Sequence, residues 1–135
     1  MVVPTAVAQR ESLLDRWRRI AVSSAKQCGR AVVPEVRCPV DVSSLSCDDT
    51  SAGRVVLVEP ALQVNGTVDL ATLVNQGRPD SLTLAVGPEG GWTSAEIDKL
   101  GNAQFIPLTL GVRTLRAAGA PAVLIAALLS HWGEF

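Results

Sequence analysis

Short apolar runs and stretches of helical periodicity alternate along this chain. Three apolar runs bounded by turn residues predict buried strands: Arg54–Glu59, Ser81–Val86 and Gln104–Leu108. Apolar residues spaced three and four positions apart, or a nearly unbroken apolar run of helix-forming residues, predict the helices Glu11–Cys28, Val68–Asn75, Ser94–Gly101 and Pro121–Trp132. Strands that alternate with helices in this way predict an α/β fold, with a parallel sheet and flanking helices.

The first predicted helix carries an apolar stripe along one side. Its members are Leu13, Leu14, Trp17, Ile20, Ala21 and Cys28. We therefore expect Trp17 to lie in the core, and Gly29 to end the helix, since glycine adopts positive φ at low cost. Two other segments are less regular. Val2–Val7 is either a strand or an irregular start, and Val42–Cys47 is expected to form a short helix.

Two glycine-bearing loops follow the last two strands. They are Val86–Thr93 (VGPEGGWT) and Leu108–Ala117 (LTLGVRTLRA), and each leads into a predicted helix. Ligands of open α/β sheets bind outside the carboxyl ends of the strands, so the loops predict the floor and wall of one small-molecule pocket. Thr93 and Glu96 match the capping-box pattern of a helix start. The glycines fit neither GxGxxG nor the P-loop, which argues against a dinucleotide fold and an NTPase.

The composition indicates a folded domain with an uneven distribution of charge. The length of 135 residues suits one domain, and 47% hydrophobic against 19% charged residues excludes a disordered chain. The net charge of −1 divides into +4 over residues 1–39 and −5 over the remainder. A basic end can bind a polyanion such as RNA, but from charge alone a solvated helix surface is the preferred interpretation.

The spacing of the cysteines bears on metal sites and disulfides, and the length of the apolar runs bears on the location of the protein in the cell. Cys28, Cys38 and Cys47 lack a CxxC spacing, and His131 lies far from them in sequence, so we expect neither a metal site nor a disulfide framework. The apolar run Val2–Ala8 is too short for a signal peptide, and no basic residue precedes it. No apolar stretch reaches the length of a membrane span. We therefore expect a cytoplasmic protein with no metal and no membrane partner.

Three motifs in order along the chain resemble a known family. They are AKQCGR at Ala25–Arg30 with VPEV at Val33–Val36, then VGPEGG at Val86–Gly91, then LGVRTLR at Leu110–Arg116. Together they resemble the SPOUT-class RNA methyltransferases, specifically the RsmE-type family that methylates N3 of a uridine in 16S ribosomal RNA. The match extends over nearly the whole chain, and the conjunction of the three motifs is what makes it specific.

The resemblance implies a fold, a cofactor and partners. The fold would be an alpha/beta knot, a C-terminal deep trefoil knot, in a homodimer whose knot regions pack together. S-adenosyl-L-methionine would be held by Val86, Gly87, Pro88, Glu89, Gly90, Gly91, Leu108, Leu110, Gly111, Leu115, Arg116 and Ala117. Small-subunit ribosomal RNA would meet Arg16, Arg19, Lys26, Gln27 and Arg30. For the arginines of the helix, a solvated face is an equal alternative.

Methylation of uracil N3 requires loss of the imide proton. A guanidinium near O2 or O4 would stabilise the developing imidate, and Arg30 is the first candidate, with Arg113 and Arg116 behind it. Glu89 could accept the proton. A carboxylate beside a glycine-rich turn more often bonds to local N–H groups, and we favour that structural role for Glu89.

The sequence departs from the family at its N-terminus and after the last motif. Family members begin with a PUA-like RNA-binding domain and supply a further strand and helix, so we interpret residues 1–135 as a SPOUT methyltransferase domain that is incomplete at its N-terminus. After Ala117 the family continues Glu-Thr-Ala, whereas this chain has Ala118-Gly119-Ala120-Pro121, which predicts a late start of the last helix. The activity expected is rRNA methylation; the alternative is a dimeric SPOUT module that binds ligand or partner without turnover.

Overall fold

The computed structural model describes residues 7–45 and 53–134, in two compact units, Met1–Asp41 and Val42–Phe135, which are described separately. The elements are α1 (Val7–Gln27), a 3-10 turn (Val42–Ser44), β1 (Gly53–Leu57), β2 (Val68–Asp69), α2 (Leu70–Asn75), β3 (Leu82–Val86), α3 (Ser94–Asn102), β4 (Ile106–Thr109) and α4 (Ala120–His131). Residues 2–6 of the first predicted segment, and Ser46 and Cys47 at the end of the predicted short helix, lie outside the described residues.

The first unit consists of α1 and an extended segment. α1 starts four residues before the predicted helix, and Gly29 ends it with φ of 69°, as expected. The amide of Arg30 donates to the carbonyl of Ala25 at 3.0 Å and that of Gly29 to Lys26 at 3.4 Å, which is a Schellman motif. The apolar stripe is only partly covered: Leu14 is buried, Trp17 is half-buried and Ile20 is 52% exposed.

The second unit is built on a four-stranded sheet in the order β2-β4-β1-β3. All three pairings are parallel, with Val55 of β1 opposite Leu84 of β3 and Ile106 of β4. The prediction of a parallel α/β sheet is therefore confirmed. The strand β2 was not predicted: its two residues, Val68 and Asp69, were assigned to the start of the following helix. Asp69 instead caps α2 by accepting the amide of Thr72 at 2.8 Å.

Side chains of β1 alternate between two hydrophobic clusters, one on each face of the sheet. One cluster consists of Val55, Leu57, Leu73, Leu108, Ala120, Leu124 and Leu128, so α2 and α4 cover that face. The other consists of Val56, Val58, Leu100, Ala103 and Phe105, so α3 covers the opposite face. Helices therefore flank the sheet on both sides, as predicted. This arrangement aligns the carboxyl ends of β4, β1 and β3 at one edge.

The last helix, α4, is apolar on all sides but buried on only one. Leu124 and Leu128 are almost fully buried, whereas Val123 and Ile125 are each 49% exposed. The helix begins at Ala120, one residue before the predicted start, with Gly119 at its N-cap and Pro121 in its first turn. Both glycine loops thus connect a strand of the sheet to a helix that packs on it.

Candidate functional site

A cavity of about 450 Å³ opens at the carboxyl ends of β1, β3 and β4. This volume lies within the usual range of small-molecule sites. Residues of both glycine loops line it, as does the segment after β1, and the lining residues are Leu57, Val58, Glu59, Pro60, Val86, Gly87, Pro88, Glu89, Gly91, Trp92, Leu110, Arg113, Thr114, Leu115, Arg116, Ala117 and Ala120. The cavity therefore lies where the sequence predicts a pocket.

Trp92 forms a rigid side of this cavity. Its Nε1 donates a hydrogen bond of 2.8 Å to the carbonyl of Leu57, so the indole ties the first loop to the end of β1. The ring lies so close to Gly87 that a Cβ there would stand 2.9 Å from Nε1. Position 87 thus requires glycine because the indole occupies the space of a side chain. Trp92 therefore has a structural role, in packing against the first loop.

The first loop turns sharply and then starts α3. Gly91 has φ of 77°, a conformation that favours glycine, and its amide donates to the carbonyl of Pro88 at 2.9 Å. The predicted capping box is present: the amide of Thr93 donates to Glu96 Oε2 at 2.9 Å, and the amide of Glu96 donates to Thr93 Oγ1 at 3.3 Å. Hydrogen bonds from the Thr93 amide and hydroxyl lower the pKa of Glu96. The loop is therefore fixed at its turn and at the start of α3.

The second loop is held mainly by its own backbone. Thr109 Oγ1 donates to the carbonyl of Gly111 at 3.2 Å, and Gly111 has φ of 101°. Further along, the carbonyl of Arg116 accepts the amides of Gly119 and Ala120 at 2.9 and 3.0 Å. These contacts leave the side chains of Arg113 and Arg116 exposed at the cavity.

Most of the residues assigned to cofactor binding from the sequence do line the cavity. The exceptions are Gly90, Leu108 and Gly111. The side chain of Leu108 is completely buried in the hydrophobic cluster on the α4 face, so it supports the cavity from beneath. Gly90 and Gly111 are exposed in the turns. The assignment of a ligand to all of these residues stays a prediction.

Several lining residues were not predicted, and one simple signal could have found some of them. Leu57 ends β1 and Val58, Glu59 and Pro60 follow it, and the rule that ligands bind at the carboxyl ends of parallel strands applies to β1 as well. Thr114 lies within the second loop, between two residues that were predicted. Ala120 belongs to the first turn of α4, and neither composition nor spacing marks it as a cavity residue.

Four charged side chains line the cavity without neutralising one another. Glu59 follows β1, Glu89 lies in the first loop, and Arg113 and Arg116 lie in the second. Within the described part of the chain, none of the four forms an ion pair or a side-chain hydrogen bond. The hydrogen bonds that we expected between Glu89 and local N–H groups are therefore not formed. The cavity offers both negative and positive groups to a ligand.

The predicted RNA-binding residues all belong to the first unit, where they are exposed. Arg18, Arg19 and Lys26 line a shallow basic groove on α1, together with Val22 and Ser23. Arg18 pairs with Asp15 at 3.6 Å, and Arg19 Nε donates to the carbonyl of Asp15.

The remaining three residues of that set are Arg16, Gln27 and Arg30. All are exposed, and Arg30 directly follows the Schellman motif that ends α1. Because Arg30 and the cavity belong to different units, its catalytic role stays a prediction.

Among residues 7–45 and 53–134, no group of three or more His, Cys, Asp or Glu side chains is placed to hold a metal ion. The same residues include no helix long and apolar enough to cross a membrane.

The sequence matches a known protein family. The model of the RNA methyltransferase domain matches residues 2–129, which is nearly the whole chain. The chain belongs to this family. The resemblance to the RsmE-type methyltransferases is also confirmed by relatives of that name. The chain is 32% identical over 122 residues to ribosomal RNA small subunit methyltransferase E of Synechocystis, and 35% identical over 126 residues to that of Mycobacterium bovis.

These matches cover most of this chain but less than half of the relatives. They include 90% and 88% of the chain, and 40% and 46% of the Synechocystis and Mycobacterium proteins. Among solved structures, ribosomal RNA small subunit methyltransferase E of Neisseria gonorrhoeae, bound to S-adenosyl methionine, superposes with a TM-score of 0.76 at 28% identity. It matches 96% of this chain and 52% of that one. A methyltransferase fold from Legionella pneumophila superposes with a TM-score of 0.78 at 24% identity.

Proposed function

We propose that this chain forms the methyltransferase domain of an enzyme that transfers the methyl group of S-adenosyl-L-methionine to N3 of a uridine in 16S ribosomal RNA. The observation that carries the proposal is the cavity of about 450 Å³ between the two glycine loops of an RNA methyltransferase fold. Such a cavity is large enough for a nucleoside with an amino-acid tail.

The cavity residues fit this cofactor in shape and in charge. Gly87 and Gly91 allow the backbone of the first loop to take its course along the cavity. A side chain at position 87 would clash with Trp92, and Gly91 has a positive φ. We assign the cradle to Val86–Gly91, and the adenine and ribose contacts to Leu110, Leu115–Ala117 and their backbone groups. When bound, the cofactor supplies a methyl group that its sulfonium already activates. The chain's own part is then to position that methyl and the base in line.

Arginine and carboxylate side chains can supply the remaining chemistry. A guanidinium at O2 or O4 of uracil stabilises the charge that develops when N3 loses its proton. We assign this task to Arg30, with Arg113 and Arg116 as the alternatives that line the cavity. Glu89 is exposed at the cavity and, among the described residues, has no hydrogen bond, so it can accept the proton.

Partners and architecture beyond the described fold are part of the same proposal. The exposed basic residues Arg16, Arg19 and Lys26 support contact with ribosomal RNA phosphates. The apolar surface of α4, where Val123 and Ile125 are half exposed, supports a homodimer. We further propose a trefoil knot in the C-terminal part of the sheet and a cytoplasmic location, where ribosomal subunits are available.

The decisive experiment separates binding from turnover. Calorimetric titration with S-adenosylhomocysteine tests the cavity. Methyl transfer to small ribosomal subunits that lack the modification, read by mass spectrometry of the RNA, tests the activity. We expect both, with transfer strongly reduced in Arg30→Ala. Binding without transfer would support a module that binds without turnover, and absence of binding would refute the proposal.

A further inference from the structure

Glu59 is a charged cavity residue to which no sequence motif points. It lies two residues after the end of β1, and its Oε1 is 3.7 Å from the point where a Cβ on Gly91 would stand. Its carboxylate thus rests against the first glycine loop at the wall of the cavity. Within the described part of the chain, it accepts no hydrogen bond and pairs with no cation. Its oxygens are therefore available to a ligand.

The backbone around Glu59 is fixed by hydrogen bonds on both sides. The amide of Val58 donates to the carbonyl of Leu108 at 3.0 Å, and the carbonyl of Leu57 accepts from Trp92. The carbonyl of Glu59 itself accepts the amide of Leu62 at 2.9 Å, which closes a turn. These hydrogen bonds fix the backbone from which the Glu59 side chain extends at the cavity wall, and this favours a positioning role.

The charges of the cavity match a zwitterion. Glu59 lies after β1, and the guanidinium groups of Arg113 and Arg116 lie on the loop after β4. The amino-acid tail of S-adenosylmethionine has an ammonium and a carboxylate on the same carbon atom. We infer that Glu59 binds the ammonium group of this tail and so positions the cofactor, an assignment that rests on the proposed function. The ammonium carries three N–H donors for charge-assisted hydrogen bonds, whereas the sulfonium carries none.

Three ligands separate these groups in a calorimetric titration. S-adenosylmethionine has both the ammonium and the sulfonium, S-adenosylhomocysteine has only the ammonium, and 5′-methylthioadenosine has neither. In Glu59→Gln, we expect affinity for the first two to fall by about tenfold and affinity for the third to stay unchanged. Asp98→Asn removes a carboxylate from the exposed side of α3 and serves as the control, with all three affinities unchanged.

Each other outcome counts against the assignment in its own way. Equal losses for all three ligands would show that Glu59 supports the cavity rather than the tail. A loss for S-adenosylmethionine alone would place the carboxylate at the sulfonium, and unchanged affinities would remove Glu59 from the site. If the unmodified protein bound none of the three, the proposed function would fail and this inference with it. Normal binding by the unmodified protein together with normal binding by Glu59→Gln overturns the inference alone.

Discussion

Gly87→Ala is expected to destabilise the protein, because the indole of Trp92 occupies the space that the added methyl group needs. A Cβ at position 87 would lie 2.9 Å from Nε1, 3.1 Å from Cε2 and 3.2 Å from Cδ1 of that ring. Favourable contacts between such atoms begin at about 3.5 Å. The ring or the loop must therefore move by several tenths of an ångström.

The ring cannot move without loss. Trp92 donates to the carbonyl of Leu57 at 2.8 Å and packs on the cluster that includes Val56 and Leu100. A lost hydrogen bond costs about 0.5–1.5 kcal/mol, and overpacking costs about 1–3 kcal/mol. We therefore expect the free energy of unfolding to fall by about 2–3 kcal/mol. With a urea dependence of about 2 kcal/mol per molar, the midpoint would fall by about 1–1.5 M.

Urea unfolding followed by circular dichroism measures this effect against two matched variants. Gly90→Ala changes the same turn, but a Cβ there meets nothing within 4 Å, so we expect no loss of stability. In a Trp92→Leu background, the cost of Gly87→Ala should fall below about 1 kcal/mol, because the clashing ring is gone. A loss smaller than about 0.5 kcal/mol in the unmodified background, or equal losses in both backgrounds, would refute the reasoning.

The remaining predictions concern α4, α3 and pH, and each is measured by urea unfolding. Leu124→Ala removes a completely buried side chain and should cost about 2–5 kcal/mol, whereas Val123→Ala, at a half-exposed position of the same helix, should cost far less; similar losses would contradict the burial pattern. Thr93→Ala removes the Oγ1 that bonds to the amide and carboxylate of Glu96 and should cost about 0.5–2 kcal/mol, with Ser at the same position restoring most of it. The hydrogen bonds from Thr93 lower the pKa of Glu96 below its ordinary 4.5 in the folded state, so the unfolded chain binds the proton more tightly. The stability that Glu96 contributes is therefore present above this value and is lost as pH falls through the folded pKa. Glu96→Gln should flatten the acid side of the stability profile, and an unchanged profile would contradict the capping role.

Much of the architecture follows from local patterns, because the sheet is buried on both faces. The buried run around Val55 and the apolar run ending at Val86 mark β1 and β3 without any knowledge of tertiary contacts. The strand β2 could not be found in this way. Its two residues form a strand only because Val68 and Asp69 pair with Leu108 and Thr109 of β4. A strand this short forms only because it pairs with a neighbouring strand. Two residues are too few to show the alternation of apolar and polar positions that would predict it.

The sequence predicts the cavity-lining residues that belong to the glycine motifs of the loops. It does not predict those whose position depends on packing in the folded chain. The glycine loops indicated most of the lining, but Leu108 and Leu110 illustrate the limit. Leu108 ends the predicted apolar run and Leu110 lies two residues beyond it, yet Leu108 is completely buried in the core and Leu110 lines the cavity. Strand alternation would place both on the same face of the sheet, but β4 ends at Thr109, so only Leu108 belongs to the strand. The boundaries of short strands are poorly defined by sequence. Glu59 was missed because a single carboxylate after a strand has no distinctive spacing.

The start of α4 shows how the chain replaces a cap that the family resemblance would supply. The family's Glu-Thr-Ala offers a hydroxyl and an acid to the free amides of a helix start. Here the carbonyl of Arg116 accepts the amides of Gly119 and Ala120, and Pro121 has no amide to satisfy. The backbone carbonyl of Arg116, a cavity residue, therefore replaces part of the capping that the missing side chains would supply. Since this bond fixes the peptide of Arg116, the second loop keeps a defined conformation without the acid and the hydroxyl. The substitution consequently alters the cap of α4 while leaving a formed wall for the cavity.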